Sequence, residues 1–218
     1  MTDRAPSLVD AALLREPPAT ARGIRTRATL VAAARTVFER DGFLAARLTD
    51  ITAEAHCSIG TFYTYFASKE EVFAAVLQEA QDDMMHPGMP HVEDSDEHPE
   101  QLLAASHRAY LTAYKRNAKL MQLLEQVATI DPQFARLRRR RARAFIDRNA
   151  RHIAALQERG MVDPTLDPQL TSACLSAMVS RMAYHVFVLG DRYTMNDLVD
   201  TLTRVWVGAL RLSPPPSA

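Results

Sequence analysis

The ten residues CSIGTFYTYF, from Cys57 to Phe66, hold the side chains in this chain best suited to recognising a polar polymer. At helical spacing Ile59, Phe62 and Phe66 fall at i, i+3 and i+7, an apolar face that anchors the segment to its neighbours. Gly60, Thr61, Tyr63, Thr64 and Tyr65 then point outward. A merely solvated face carries Lys and Glu, whereas this one is small, hydroxylated and aromatic. Gly60 lets two backbones come close, tyrosine hydroxyls donate to phosphate oxygens, and Thr61 and Thr64 offer a hydroxyl or a methyl group to base edges. The chemistry these types support is recognition of a nucleic acid duplex.

Such a face needs elements to hold it. Residues 1–21 contain Pro6, Pro17 and Pro18 without sustained periodicity and read as a disordered arm. Leu30, Val31, Ala34, Val37 and Phe38 mark an amphipathic helix from about Arg22, stopped by Gly42. Short helices follow over about 48–55 and 58–66, both too short to stand alone. Ser68 and Glu71 form a capping-box signature for a fourth helix to Met85. The segment 86–98, HPGMPHVEDSDEH, reads as a loop. Five helices are expected beyond it, at about 99–116, 118–129, 132–159, 168–189 and 195–212. Asp131-Pro132, Asp167-Pro168 and Thr194 with Asp197 signal three starts, and Gly160 and Gly190 two stops. No run alternates with period two, so the chain is all-α, with about nine helices.

Composition narrows the class. With 218 residues, 47% of them hydrophobic, the chain can bury a real core, and its formal net charge of zero excludes a protein that coats nucleic acid by bulk charge. Charge must act locally: residues 22–47 carry arginines at 22, 25, 27, 35, 40 and 47 against Glu39 and Asp41, a phosphate-binding footprint that includes Arg22, Arg25 and Arg47. Lys69 sits in the first turn of the fourth helix, where a cation opposes the helix dipole, so an anionic partner explains it better than a structural role. Two cysteines, Cys57 and Cys174, make no disulfide framework, and the start lacks a signal-peptide stretch; a cytoplasmic protein is expected. The most apolar stretch, Cys174 to Leu189, carries Arg181 and His185 and falls short of the roughly 20 apolar residues a membrane span needs, so it reads as a buried helix and no membrane partner is expected. Neither cysteine has the partner a nucleophile requires, so no enzyme and no cofactor is expected.

Two short helices separated by a tight break, the second presenting the outward set above, constitute a helix-turn-helix. From Leu30 to Leu77 the chain resembles the TetR-type (TetR/AcrR) transcriptional regulators of bacteria. Ala34, Phe38, Gly42, Phe43, Asp50, Ile51, Ala55, Ser58, Gly60, Thr61, Tyr63, Tyr65, Phe66, Ser68, Lys69 and Glu70 stand where that pattern expects them. The resemblance implies a DNA-binding domain over 22–67 and a helical effector-binding and dimerisation domain over 68–218. It also implies a homodimer on a palindromic operator in double-stranded DNA, a repressor released by a small, largely apolar or amphipathic molecule. Thr61, Tyr63, Thr64 and Tyr65 fall on its recognition-helix positions and Lys69 on a phosphate-contacting one. Arg47 departs from the usual threonine N-cap, and His56-Cys57 replace the usual Gly-Val of the turn, which would place His56 in a left-handed conformation.

In the C-terminal half the resemblance implies that the last two helices pair with their copies, through Cys174, Met178 and Tyr184 on one and Leu198, Leu202, Val205 and Trp206 on the other. Large adaptable side chains, Met85, Tyr110, Tyr114, Met121, Phe134, Phe145, Met182 and Phe187, are candidates to line an effector site. Six arginines in eight positions, Arg136 to Arg143, are read either as a solvated face paired with acids or as holders of an anionic head group. Two other readings stay open: an effector-independent DNA-binding dimer, and a metal-responsive regulator using His86, His91, Glu93, Asp94, Asp96 and His98, whose spacing matches no defined site.

Overall fold

The computed structural model describes residues 18–85 and 99–213, and among these every regular element is a helix. They run in the order α1 (Ala21–Asp41), α2 (Leu48–Glu54), α3 (Ile59–Tyr65), α4 (Lys69–Met85), α5 (Pro99–Arg116), α6 (Ala118–Val127), α7 (Pro132–Glu158), α8 (Pro168–Tyr184) and α9 (Met195–Leu210). α8 continues as a single π-helical stretch, His185–Leu189, until Gly190 stops it at φ 88°. The all-α expectation holds. The expected arm lies outside the described residues up to residue 17, and Ala21 already belongs to α1; the expected loop 86–98 lies wholly outside them.

Side chains set the starts. Thr20, which periodicity alone does not reveal, accepts from the Gly23 N–H at 3.1 Å, and Asp167 accepts from the Leu170 N–H at 2.6 Å. Thr194 and Asp197 complete a reciprocal capping box. At α4 the box is displaced: Ser68 accepts from the Glu71 N–H at 3.2 Å, but the Glu71 carboxylate takes the N–H of Ala67, one residue early.

The chain packs as two compact units, one formed by residues up to Asp82 with Lys119–Arg140, the other by Asp83–Ala118 with the residues from Arg141 on. In the first, α1 buries Leu30, Val31, Ala34, Val37 and Phe38, and Ile51 of α2 with Phe62 and Phe66 complete the helix-turn-helix core. Beside it Phe38, Phe43, Phe73 and Phe134 form one ring cluster, with centroids 4.9 Å apart for Phe38–Phe73, 4.8 Å for Phe43–Phe73 and 5.3 Å for Phe73–Phe134. These spacings suit offset and edge-on aromatic contact.

In the second unit α5 and α9 lie along one another, and Leu102, Leu111, Leu198, Leu202 and Trp206 are buried. His107 of α5 shares a 3.0 Å hydrogen bond with Thr203 of α9 and meets the Trp206 ring edge-on at 5.4 Å. Burial pulls the His107 pKa down to about 4. The folded chain therefore holds a neutral imidazole, and protons favour the unfolded chain. The stability His107 preserves is complete above pH 6.5 and is lost as pH falls toward 4, by about 3 kcal/mol at its limit. Urea midpoints of the parent and of His107→Gln across pH 7 to 4 test this: the parent is expected to lose stability over that window more steeply than the variant, and parallel curves would refute the assignment.

α8 is not the buried helix its composition suggests. Only Ser172, Leu175, Val179 and Ala183, a single stripe, are buried, and Pro168–Leu189 is long and apolar enough by length and composition to cross a membrane. One stripe suffices to dock the helix on its own unit, through Ser172 donating to the Ile146 carbonyl at 2.8 Å and Asn149 to Ser176 at 3.0 Å. The opposite face stays open.

Candidate nucleic-acid interface

α3 divides much as its periodicity predicts. Phe62 and Phe66 are 0% exposed, whereas Tyr63 is 47% exposed, Gly60 and Thr64 are exposed, and Thr61 and Tyr65 half-buried. A Cβ at Gly60 would meet only Ser58 Oγ at an ordinary 3.7 Å, so nothing within the chain demands glycine there. Ser58 caps the helix, accepting from the Thr61 N–H at 3.1 Å with the two hydroxyls 3.0 Å apart, and Thr64 Oγ1 donates to the Gly60 carbonyl at 3.1 Å. These bonds restrain the hydroxyls of both threonines.

Ile59 departs from expectation: it is 44% exposed and belongs to the outward surface. Angular position gives a direction, not cover, and at the first turn of a seven-residue helix no neighbour extends far enough to enclose it. An exposed isoleucine beside threonines suits contact with a thymine methyl group.

The turn before α3 resolves the unusual His56-Cys57 pair. His56 adopts φ 50°, its N–H donates to the Ala53 carbonyl at 3.1 Å, and the Cys57 N–H to the Thr52 carbonyl at 3.0 Å. This is the Schellman pattern that usually ends on glycine. Histidine fills it at a cost of about 1–2 kcal/mol, so the α2–α3 angle is set as a glycine would set it. Burial pushes the Cys57 thiol up, away from the thiolate a nucleophile needs. Arg47 occupies the N-cap of α2 without a side-chain capping bond, and Arg22, Arg25 and Arg47 are all exposed.

Lys69 corrects the dipole argument. Its ammonium donates to the carbonyls of Phe43 at 2.8 Å, Ala46 at 3.0 Å and Leu44 at 3.4 Å, and lies 4.8 Å above the Phe43 ring. A structural role is present after all: three carbonyls outweigh the few tenths of a kcal/mol that the dipole costs. Lys69→Met is expected to lower the unfolding free energy by about 1.5–3 kcal/mol, measured by urea denaturation. An unchanged midpoint would mean that these bonds contribute nothing in water.

The other predicted residues fall into two groups. Leu198, Leu202 and Trp206, expected at a subunit interface, are covered by their own unit, because the α9 stripe that periodicity marks is the one facing α5. Cys174 and Val205 are open, and Met178 and Tyr184 half-buried. Among the effector candidates, Met121 and Phe134 belong to the first unit, where Phe134 completes the ring cluster. Met85, Tyr110, Tyr114, Phe145, Met182 and Phe187 belong to the second. There Tyr110 lies 5.9 Å from Tyr114 and 5.5 Å from Phe145, and Tyr114 lies 6.3 Å from Phe187. Of the arginine run, Arg138 pairs with Glu125 at 2.7 Å and Arg143 with Asp147 at 3.1 Å, and Arg136 and Arg139 are exposed; Arg141 alone is buried. The six acidic and histidine residues of the metal-responsive reading lie outside the described residues, among which no group of three His, Cys, Asp or Glu could hold a metal ion.

Comparisons with known proteins agree with this geometry. Residues 30–76 match the profile of bacterial regulatory proteins of the tetR family, and residues 103–211 that of the C-terminal domain of the transcriptional regulator EthR. The chain is 34% identical over 87 residues to the uncharacterized HTH-type transcriptional regulator YfiR of Bacillus subtilis, a match spanning 40% of each chain. It is 24% identical over 153 residues to the HTH-type transcriptional regulator UidR of Escherichia coli, covering 69% of this chain and 76% of that one. GusR of Salmonella enterica shares the fold at TM-score 0.72 with 20% identity, over 91% of this chain and 98% of that one. A TetR-family regulator of Pectobacterium atrosepticum shares it at TM-score 0.61 with 22% identity, over 88% and 96%. Two profiles that between them take in the helix-turn-helix and most of the second half, on a fold with an exposed reading helix, place this chain in the tetR family of bacterial DNA-binding transcriptional regulators.

Proposed function

We propose that the protein acts in the cytoplasm as a homodimeric repressor, holding a two-fold operator through paired α3 helices and leaving it when a small, largely apolar or amphipathic molecule occupies the second unit. The observation that carries the reading is the division of α3, with both phenylalanines enclosed and a continuous outward surface of Ile59, Gly60, Thr61, Tyr63, Thr64 and Tyr65. Arg22, Arg25 and Arg47 neutralise phosphates around it, while Lys69 acts by holding the loop that carries Arg47. A single head with so few base contacts binds too weakly to regulate a promoter, so two are required. The open face of α8, with Leu170, Cys174, Ala177 and Arg181, and that of α9, with Thr201, Val205, Gly208 and Ala209, supply the surface for a second copy. Apolar side chains left this bare on two consecutive helices suit a four-helix seam.

Selection of bound genomic fragments tests the reading. Recovery of an inverted repeat is expected, with Thr64→Ala relaxing preference at particular positions by about 1–3 kcal/mol. Arg47→Ala is expected to weaken all sequences alike and reduce the salt slope by about one. Enrichment of no common sequence, or identical behaviour of the two variants across operator mutants, would overturn the division of labour.

A further inference from the structure

The second unit contains two arginines that form no ion pair among the described residues. Arg141 and Arg148 lie about one turn before and one turn after Phe145 on α7, with their guanidinium carbons 5.4 and 5.3 Å from the centre of that one ring. Arg141 is 9% exposed and donates to the Met84 sulfur at 3.1 Å; Arg148 donates to the Met85 carbonyl at 2.9 Å. The Nε of each is buried without a partner. A thioether, a carbonyl and a ring face are weak compensation for a buried charge at Arg141 and a half-buried one at Arg148. Burial lowers the Arg148 pKa, and neighbouring Arg151 lowers it further. Among the described residues Asp147, next to Arg148 in sequence, pairs with Arg143 and accepts from Gln169, and Asp83, next to Met84, pairs with Arg116 and accepts from Asn117. Among the described residues neither Arg141 nor Arg148 forms an ion pair.

An uncompensated buried cation costs stability unless it is kept for a ligand. The surroundings give that ligand a shape, since Phe145 lies between the two heads, Tyr110 meets its ring edge-on, and Tyr114 and Phe187 continue the aromatic surface. We infer that Arg141 and Arg148 form the anion-holding end of the effector site, and that the effector is an organic acid whose carboxylate takes both guanidiniums while its apolar body lies on the aromatic side chains. This rests on the ligand-responsive reading above, and within the run Arg136 to Arg143 it assigns the head-group role to Arg141, joined by Arg148 from outside the run.

Titration calorimetry on the full-length protein with decanoate and 4-phenylbutyrate, each against its uncharged amide and against inorganic phosphate, tests it. At least one carboxylate is expected to bind more tightly than its amide and than phosphate. Arg148→Gln and Arg141→Gln are each expected to weaken it by about 10- to 100-fold while leaving the amide unchanged. Carboxylate and amide binding alike, phosphate binding as well as the acids, no carboxylate binding, or indifference to both substitutions would overturn the inference. Melting of the ligand-free protein gives a second readout: Arg148→Met is expected to raise the midpoint by about 2–4 °C, whereas a structural arginine would make it fall, which would also count against the site. Operator release is measured separately. Arginine-dependent carboxylate binding that leaves the operator occupied would remove the release mechanism and retain the anion site.

Discussion

Val205→Glu is expected to leave a folded monomer that binds a two-half-site operator about 10²- to 10⁴-fold more weakly than the parent, because the second head then binds without the effective concentration of a linked partner. Val205 is 43% exposed on α9, so a carboxylate there meets water in one chain and an apolar surface only when a second copy arrives. Gly208 gives an independent handle on the same face. It lies within α9, exposed, and an added Cβ would meet nothing within 4 Å, yet glycine in a helix costs about 0.5–1 kcal/mol relative to alanine. In the proposed dimer, close approach of another backbone would account for it. Gly208→Leu is therefore expected to stabilise the isolated chain and to weaken dimerisation, a combination that a plain folding defect does not produce. Sedimentation across a concentration series, with fluorescence anisotropy on operator DNA, measures both effects. Dimers of undiminished strength in both variants would place the seam elsewhere.

Phe73→Ala is expected to lower the unfolding free energy by about 3–5 kcal/mol. Phe73 is fully buried and touches Phe38, Phe43 and Phe134, so its loss opens a cavity that three rigid rings cannot close. Phe43 also carries the carbonyl nearest the Lys69 ammonium and the ring beneath it, which links this cluster to the loop before α2. Operator affinity at low denaturant is expected to fall with stability. A Phe73→Leu chain, which fills most of the volume, is expected to recover at least half of the loss. Calorimetric unfolding checks the values, and a cost below about 1 kcal/mol would mean that the cluster repacks.

Local signals decided the elements themselves. Helix starts follow from short-range bonds between a cap and a backbone N–H three residues on, which is why Asp167-Pro168 and Thr194-Asp197 mark α8 and α9 from the chain alone. The outward face of α3 was equally legible, since Phe62 and Phe66 leave one side for hydroxyls and glycine. Left-handed His56 followed from its place in the turn.

What the chain order does not encode is which surface covers which stripe. Leu198, Leu202 and Trp206 form an apolar row whether they face α5 or a second subunit, and only packing assigns them to α5, leaving Val205 and Gly208 exposed. Ile59 shares the direction of Phe62 and Phe66, but cover depends on how far a neighbouring helix extends. Lys69 looked unfavourable from its position on α4 because the three carbonyls that hold it come from residues more than twenty positions earlier. The arginine run read as one feature, yet burial separates Arg141 from Arg136 and Arg139 and joins it to Arg148 across Phe145. Composition and spacing act through bonds a few residues long and so determined the helices, their ends and the reading face. The tertiary structure decided the pairing of surfaces, the role of Lys69 and the placing of the two guanidiniums about Phe145, because each depends on distances between residues that the chain keeps far apart or turns to different sides.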